Sequence, residues 1–304
     1  MTDFSSKRLI PWSKIHNRYT TAKNSAINVV NFDNSGDYLF FGGQDRLLNL
    51  YNVDSGKLIK SYEGHRREIL DIYIEESSKK VASCGGDKIV YLWDIERGDI
   101  PRKYYGHTQR INTVTMNKEG SLLLSGSYDT TVRIFDLRSR NKSAIQILTD
   151  AKDSISTVII NDNQILSGSV DGYLRTYDVR SGQLFEDCIS EAITCIYESS
   201  DNNCVLVTSL DNKIRLFDKS DGSLLNTYQG HTASKYRIKS CLDVNDEIVV
   251  SGSEDGNIYF WNMLQASVLG NLSQHTNIVN SVSVSKNNKY LASSSINGEL
   301  IVWS

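Results

Sequence analysis

Along the chain, small residues give way to one acidic residue, then to a run of β-branched and aromatic positions closed by a polar residue. Ser83-Cys84-Gly85-Gly86-Asp87-Lys88-Ile89-Val90-Tyr91-Leu92-Trp93-Asp94 is the clearest copy. Short apolar runs separated by turn residues predict strands joined by tight turns. Aligning the acidic position gives Asp45, Asp87, Asp129, Asp171, Asp211, Asp255 and, as an amide, Asn297, in steps of 42, 42, 42, 40, 44 and 42 residues. The third copy shows the internal order: Ile111 to Met116, a turn at Asn117-Lys118-Glu119-Gly120, Leu122 to Ser125, the Asp129 turn, Thr131 to Phe135, then an outer strand. Asp171-Gly172, Asp211-Asn212, Asp255-Gly256 and Asn297-Gly298 suit the positive φ of a tight hairpin. No segment calls for a helix.

A period of about 40–45 residues with four strands per unit is the spacing of a propeller blade. Seven units take up nearly all 304 residues, so the expected fold is an all-β, seven-bladed β-propeller forming one domain over residues 1–304. The seventh unit has three strands before Ser304, and an open edge would be a liability. The segment from Lys7 to about Ile15, with Leu9, Ile10, Trp12 and Ile15, is expected to supply the missing outer strand and close the ring, and Pro11 suits that edge. Asn17 to Asn24 would then be a polar connection, and residues 1–6 are expected to be disordered.

Charge and cysteines narrow the function classes. A net charge of −3 excludes a surface that is basic throughout, while leaving room for a local basic patch. No apolar run is long enough to cross a bilayer, and the N-terminus shows no secretory pattern. The five cysteines have no C-x-x-C spacing and read as buried thiols of a reducing compartment. The protein is therefore expected to be soluble, monomeric and cytoplasmic or nuclear, with no cofactor, metal or membrane partner.

Histidines preceding several units invite a catalytic reading. His65, Ser83 and Asp87 resemble a Ser-His-Asp triad, but the grouping returns as His107, Ser125, Asp129 and as His231, Ser251, Asp255. No enzyme needs one triad in several blades. A structural network explains the repetition: the turn Asp meets the imidazole, the imidazole meets the serine, and the serine meets the indole of Trp93 or Trp261. Unit three has Phe135 at the indole position, and units one, four and five lack the histidine, so those blades are expected to rely on packing.

With Gly64-His65, Gly106-His107 and Gly230-His231, the turn Asp, and the endings Trp93-Asp94, Phe135-Asp136, Tyr177-Asp178 and Phe217-Asp218, the chain resembles the WD-repeat family over essentially its whole length. Gly168-Ser169-Val170-Asp171-Gly172, Gly182-Gln183-Leu184-Phe185, Ile193-Thr194-Cys195 and Ser209-Leu210-Asp211 carry a narrower resemblance, to the single-domain propellers that organise mitogen-activated protein kinase cascades. That resemblance implies a non-catalytic scaffold whose partners are proteins or peptides of a kinase cascade. The alternative it implies is a component of the spliceosome or another RNA-processing complex, with indirect RNA contact.

In such a ring, the loops entering the inner strands and the Asp turns surround one mouth of the channel. Arg66, Arg67, Arg110, Tyr128, Lys152, Lys235, Tyr236 and Arg237 fall there, a basic and aromatic rim suited to an acidic or phosphorylated segment or to RNA.

Overall fold

A computed structural model describes residues 10–98, 102–161 and 163–304. The turn Asp is the local reason for each hairpin. Its carboxylate accepts the amide two residues on, as Asp87 does from Ile89 at 3.4 Å and Asp171 from Tyr173 at 3.1 Å. The residue directly after it is left-handed in every copy, from Asn212 at φ 62° to Gly256 at φ 86°. Glycine takes that conformation freely, and Asn with little strain.

These hairpins build seven four-stranded antiparallel sheets. Blade two, with strands Ile69–Ile74, Lys80–Gly85, Val90–Asp94 and Arg102–Tyr104, is typical. The fold is the expected seven-bladed propeller, and one three-residue 3-10 turn, Ala22–Asn24, is its only helical element among the described residues. In six blades the innermost strand carries a bulge near its start, as between Ile69 and Asp71, which tightens the twist at the axis. Blade six departs from this, its inner strand being cut to Ser240–Leu242. Apolar side chains from facing blades fill the seams: Leu92 and Tyr104 of blade two, for instance, pack with Leu123, Phe135 and Leu137 of blade three.

Ring closure uses the N-terminal segment, but a later part of it than the apolar residues suggest. The outer strand of blade seven is Ile15–Thr20, antiparallel to Glu299–Trp303. The stretch read as a polar connection thus supplies most of the strand. Its alternating exposed and half-buried pattern suits an edge with one wet face. The apolar residues upstream go where burial is deeper: Trp12 is fully buried 6.1 Å from Phe260 in the seam between blades six and seven, with Ile10 against the same cluster. Pro11 therefore lies before the strand, and the expectations for Leu9 and residues 1–6 fall outside the described residues.

Candidate functional site

The networks behind the turns decide how rigidly the face above them is held. In blade two, Trp93 Nε1 donates to Ser83 Oγ at 2.8 Å, and His65 Nε2 lies 2.7 Å from the same oxygen. His65 Nδ1 is 2.9 Å from Asp87 Oδ2. One neutral tautomer satisfies every group: Nδ1–H donates to the carboxylate, and the serine hydroxyl donates to Nε2 while accepting from the indole. Burial raises the Asp87 carboxyl, but the hydrogen bonds from His65 and from the Arg66 amide outweigh it and hold the carboxyl below its ordinary range. Blade three repeats the arrangement without the indole, with His107 at 2.9 Å from Asp129 and 2.8 Å from Ser125. Blade seven, whose Gln274-His275 stands 22 residues ahead of Asn297 as a degenerate copy of the Gly-His pairs, has a version in which His275 and Trp303 meet at Ser293, at 2.7 and 2.9 Å, and Glu299 stands 3.4 Å from Nδ1 in place of a turn Asp.

Blade six does not form the expected tetrad. Ser251 donates to the Gly252 carbonyl, Trp261 to the Gln229 carbonyl, and Asp255 is taken by the Tyr259 hydroxyl at 2.7 Å. Both ring nitrogens of His231 are buried with no hydrogen-bond partner among the described residues, and burial brings its pKa down to about 4. Nor do blades one, four and five rely on packing alone. Arg175, four residues after Asp171, bonds Ser169 and Asp171 with its two Nη atoms and Glu186 with Nε. Arg215 bonds Ser209 and Asp211 in the same way. In blade one, Asn49 donates to Asp45 at 3.2 Å. The sequence signal was an Arg or Asn four residues past the turn Asp, where a strand side chain can reach back to the carboxylate.

These same carboxylates anchor the loops between blades. Asp87 accepts the Arg66 amide at 3.1 Å, Asp129 the Thr108 amide at 2.9 Å, and Asp171 the Lys152 amide at 2.9 Å. Rim side chains therefore project from a fixed backbone. Arg66, Arg67, Arg110 and Tyr128 come together, with Lys88 and Glu68, around a cavity of about 710 Å³ between blades two and three. The Arg110 guanidinium sits 4.9 Å over the Tyr128 ring, which is 51% exposed. Four cations here face Glu68 and the already engaged Asp87, so the pocket is positive.

The other rim residues lie elsewhere. Lys152 stands exposed on the next loop, outside the pocket. Lys235 and Tyr236 lie on the blade-six loop, where the Glu254 carboxylate takes the amides of Ser234, Lys235 and Tyr236 at 2.7, 2.6 and 2.9 Å. That anchoring folds the loop inward. Tyr236 lines a cavity of about 370 Å³ with Asn28, Gln44 and Asn280. Arg237 lines the same cavity, and its guanidinium crosses the channel to the carbonyls of Asn112 at 2.6 Å and Thr194 at 3.2 Å. Lys239 reaches across to Asp71 of blade two, at 2.5 Å, in a contact the sequence did not suggest. Among the described residues no group of three or more His, Cys, Asp or Glu could hold a metal ion.

Repeated turn networks in a closed seven-bladed ring define the class, and the chain belongs to the WD-repeat β-propeller family. The family model of the first β-propeller of IFT122 matches residues 26–304. WD repeat domain-containing protein 83 of Danio rerio is 51% identical over 286 residues, covering 94% of this chain and 90% of the relative. The Homo sapiens protein of that name is 51% identical over 243 residues, covering 80% and 77% respectively. The Dictyostelium discoideum homolog is 31% identical over 317 residues, covering 94% and 97%. Proteins of this family act as interaction scaffolds and typically bind other proteins. Nothing in these matches indicates a catalytic family.

Proposed function

We propose that this propeller is a non-catalytic scaffold that assembles components of a mitogen-activated protein kinase cascade in the cytoplasm or nucleus. An acidic or phosphorylated segment of one component would dock between blades two and three. The observation that carries this reading is the pocket of Arg66, Arg67, Arg110 and Tyr128, a positive and partly aromatic concavity on loops whose backbone is tied down by Asp87 and Asp129. Arg and Tyr lose little freedom on binding when so held, which suits them as anchors. The kinase-cascade assignment rests on the resemblance of the central repeats.

A spliceosomal role is the competing reading, favoured by the same cations, since phosphates of RNA suit them as well. Affinity purification of the intact protein from its native cells, with and without ribonuclease, separates the two. Kinase-cascade proteins should be recovered under both conditions and lost from the Arg67→Glu/Arg110→Glu variant. Splicing factors in their place would move the assignment to the second reading, and their loss on ribonuclease treatment would make RNA the link. Unchanged recovery with the variant would place docking away from this pocket.

A further inference from the structure

Seams between blades are filled from a few equivalent positions, so a seam that departs from them can be identified by comparison. The residue three after the turn Asp pairs with an outer-strand residue that is aromatic or leucine in six blades: Tyr62, Tyr104, Leu148, Tyr228, Leu272 and, on the closing strand, Tyr19. In blade four this partner is Asp187, opposite Leu174. Five residues after the turn stand Leu50, Leu92, Ile134, Leu216, Phe260 and Val302, and in blade four Thr176. Eight after it, where Leu137 and Met263 pack onto the preceding blade, blade five has Lys219.

All three polar substitutions meet at one seam. Leu166, Leu174, Ile193, Ile196 and Val205 still pack across the inner part of this seam, and outside them lies a cavity of about 470 Å³ whose wall includes Phe185 and Phe217. Phe185 is 54% exposed at its outer edge. Asp178, Asp218 and Asp221 border it from the turns at the strand ends opposite the Asp turns, each holding backbone amides of its own turn. The one lining cation, Lys219, is paired with Glu198. Asp187 has no hydrogen-bond or ionic partner among the described residues, and burial raises its carboxyl above its ordinary value. An apolar slot ending in an unpaired, half-buried carboxylate gives up seam burial and gains nothing within the chain.

We propose that the seam between blades four and five is a docking groove for a basic segment of a partner protein. One lysine or arginine enters between the blades, its aliphatic stem along Phe217 and its charge on Asp187, while an apolar neighbour covers Phe185. Charge complementarity selects this occupant: four carboxylates surround an apolar slot whose one cation among the described residues, Lys219, is already engaged. The groove runs along the seam of blades four and five and shares no residue with the basic pocket, so this inference is independent of the function proposed above.

Selection of phage-displayed random peptides on the intact protein, with the recovered sequences synthesised and titrated calorimetrically, tests it. Recovered peptides should carry Lys or Arg beside an aliphatic or aromatic residue. Their affinity should fall at least tenfold for Asp187→Asn, which keeps the side-chain shape, and for Asp187→Leu, while Arg67→Glu leaves it unchanged. Asp187→Leu restores the residue class of the other seams, so it is expected to fold and to resist urea better than the parent. Peptides lacking basic residues, affinity indifferent to both Asp187 variants, or no enrichment over a bare surface would overturn the proposal. So would spermidine binding with the same Asp187 sensitivity and no peptide preference, which would make the groove a site for a free amine.

Discussion

Ser83, Ser125 and Ser251 are equally and completely buried at equivalent places in blades two, three and six, yet their surroundings differ, which makes truncation to alanine a controlled comparison. In Ser83→Ala, the Trp93 indole N–H loses its acceptor at 2.8 Å and His65 Nε2 its donor at 2.7 Å. Each buried polar group left unsatisfied costs roughly 1–3 kcal/mol. Because the two share one hub, about 2–4 kcal/mol is expected for the pair, a large part of an ordinary domain's stability. Ser125→Ala strands only His107, since Phe135 replaces the indole, and should cost roughly half as much. Ser251→Ala removes one hydroxyl from the Gly252 carbonyl and strands neither His231 nor Trp261, so about 1 kcal/mol or less is expected. Equilibrium urea unfolding followed by circular dichroism gives the three differences, provided the slopes agree. If Ser251→Ala loses as much as Ser83→Ala, burial of the serine and not its network sets the cost, and the account of the tetrads given above is wrong.

Three further changes follow from the same geometry. Arg175→Leu leaves Asp171, whose carboxyl is held down to about 2 by Arg175 and Ser169 against the effect of burial, without its cation, and should cost about 3 kcal/mol in urea unfolding. Lys239→Met takes from the deeply buried Asp71 its ion-pair partner and should cost about 3–5 kcal/mol, part of it recovered in the double variant with Asp71→Leu, which in turn leaves the Val114 amide without its acceptor. His231 titrates at about 4 in the folded chain against 6.5 when unfolded, so the unfolded chain takes the proton first and stability falls as pH drops from about 6.5 to 4. His231→Phe, which keeps the edge contact with Trp261, should remove about 3 kcal/mol of that loss, read as a flatter plot of unfolding free energy against pH.

What could be read from the sequence divides by whether a role is repeated. The turn Asp recurs at nearly constant spacing because every blade needs the same hairpin, so the seven blades and the histidine networks of blades two and three were visible as columns. His231 sat in its column and misled, because sequence alone does not show that Tyr259 captures Asp255. The closing strand was misplaced by equating apolar with strand. An edge strand needs a polar face, and Trp12 found a better site in a seam. Arg175 and Arg215 could have been found, since both stand four residues past the turn Asp. Lys239, Arg237 and Glu254 could not, for each acts once, across the channel or around one loop, and has no internal copy to compare.

Asp187 falls between these cases. The distance from the turn Asp to its outer-strand position is 17 residues in blades one, two, five and six, but 19 in blade three and 16 in blade four, so an ungapped alignment of the repeats sets it beside the wrong residues. Strand register restores the column and exposes the exception. In a repeat protein the shared positions account for the fold, and a position that breaks the pattern at the expense of packing is where a separate role should be sought. Thr176, Asp187 and Lys219 break it together, at one seam and facing one another, which is hard to reconcile with three unconnected losses of seam packing.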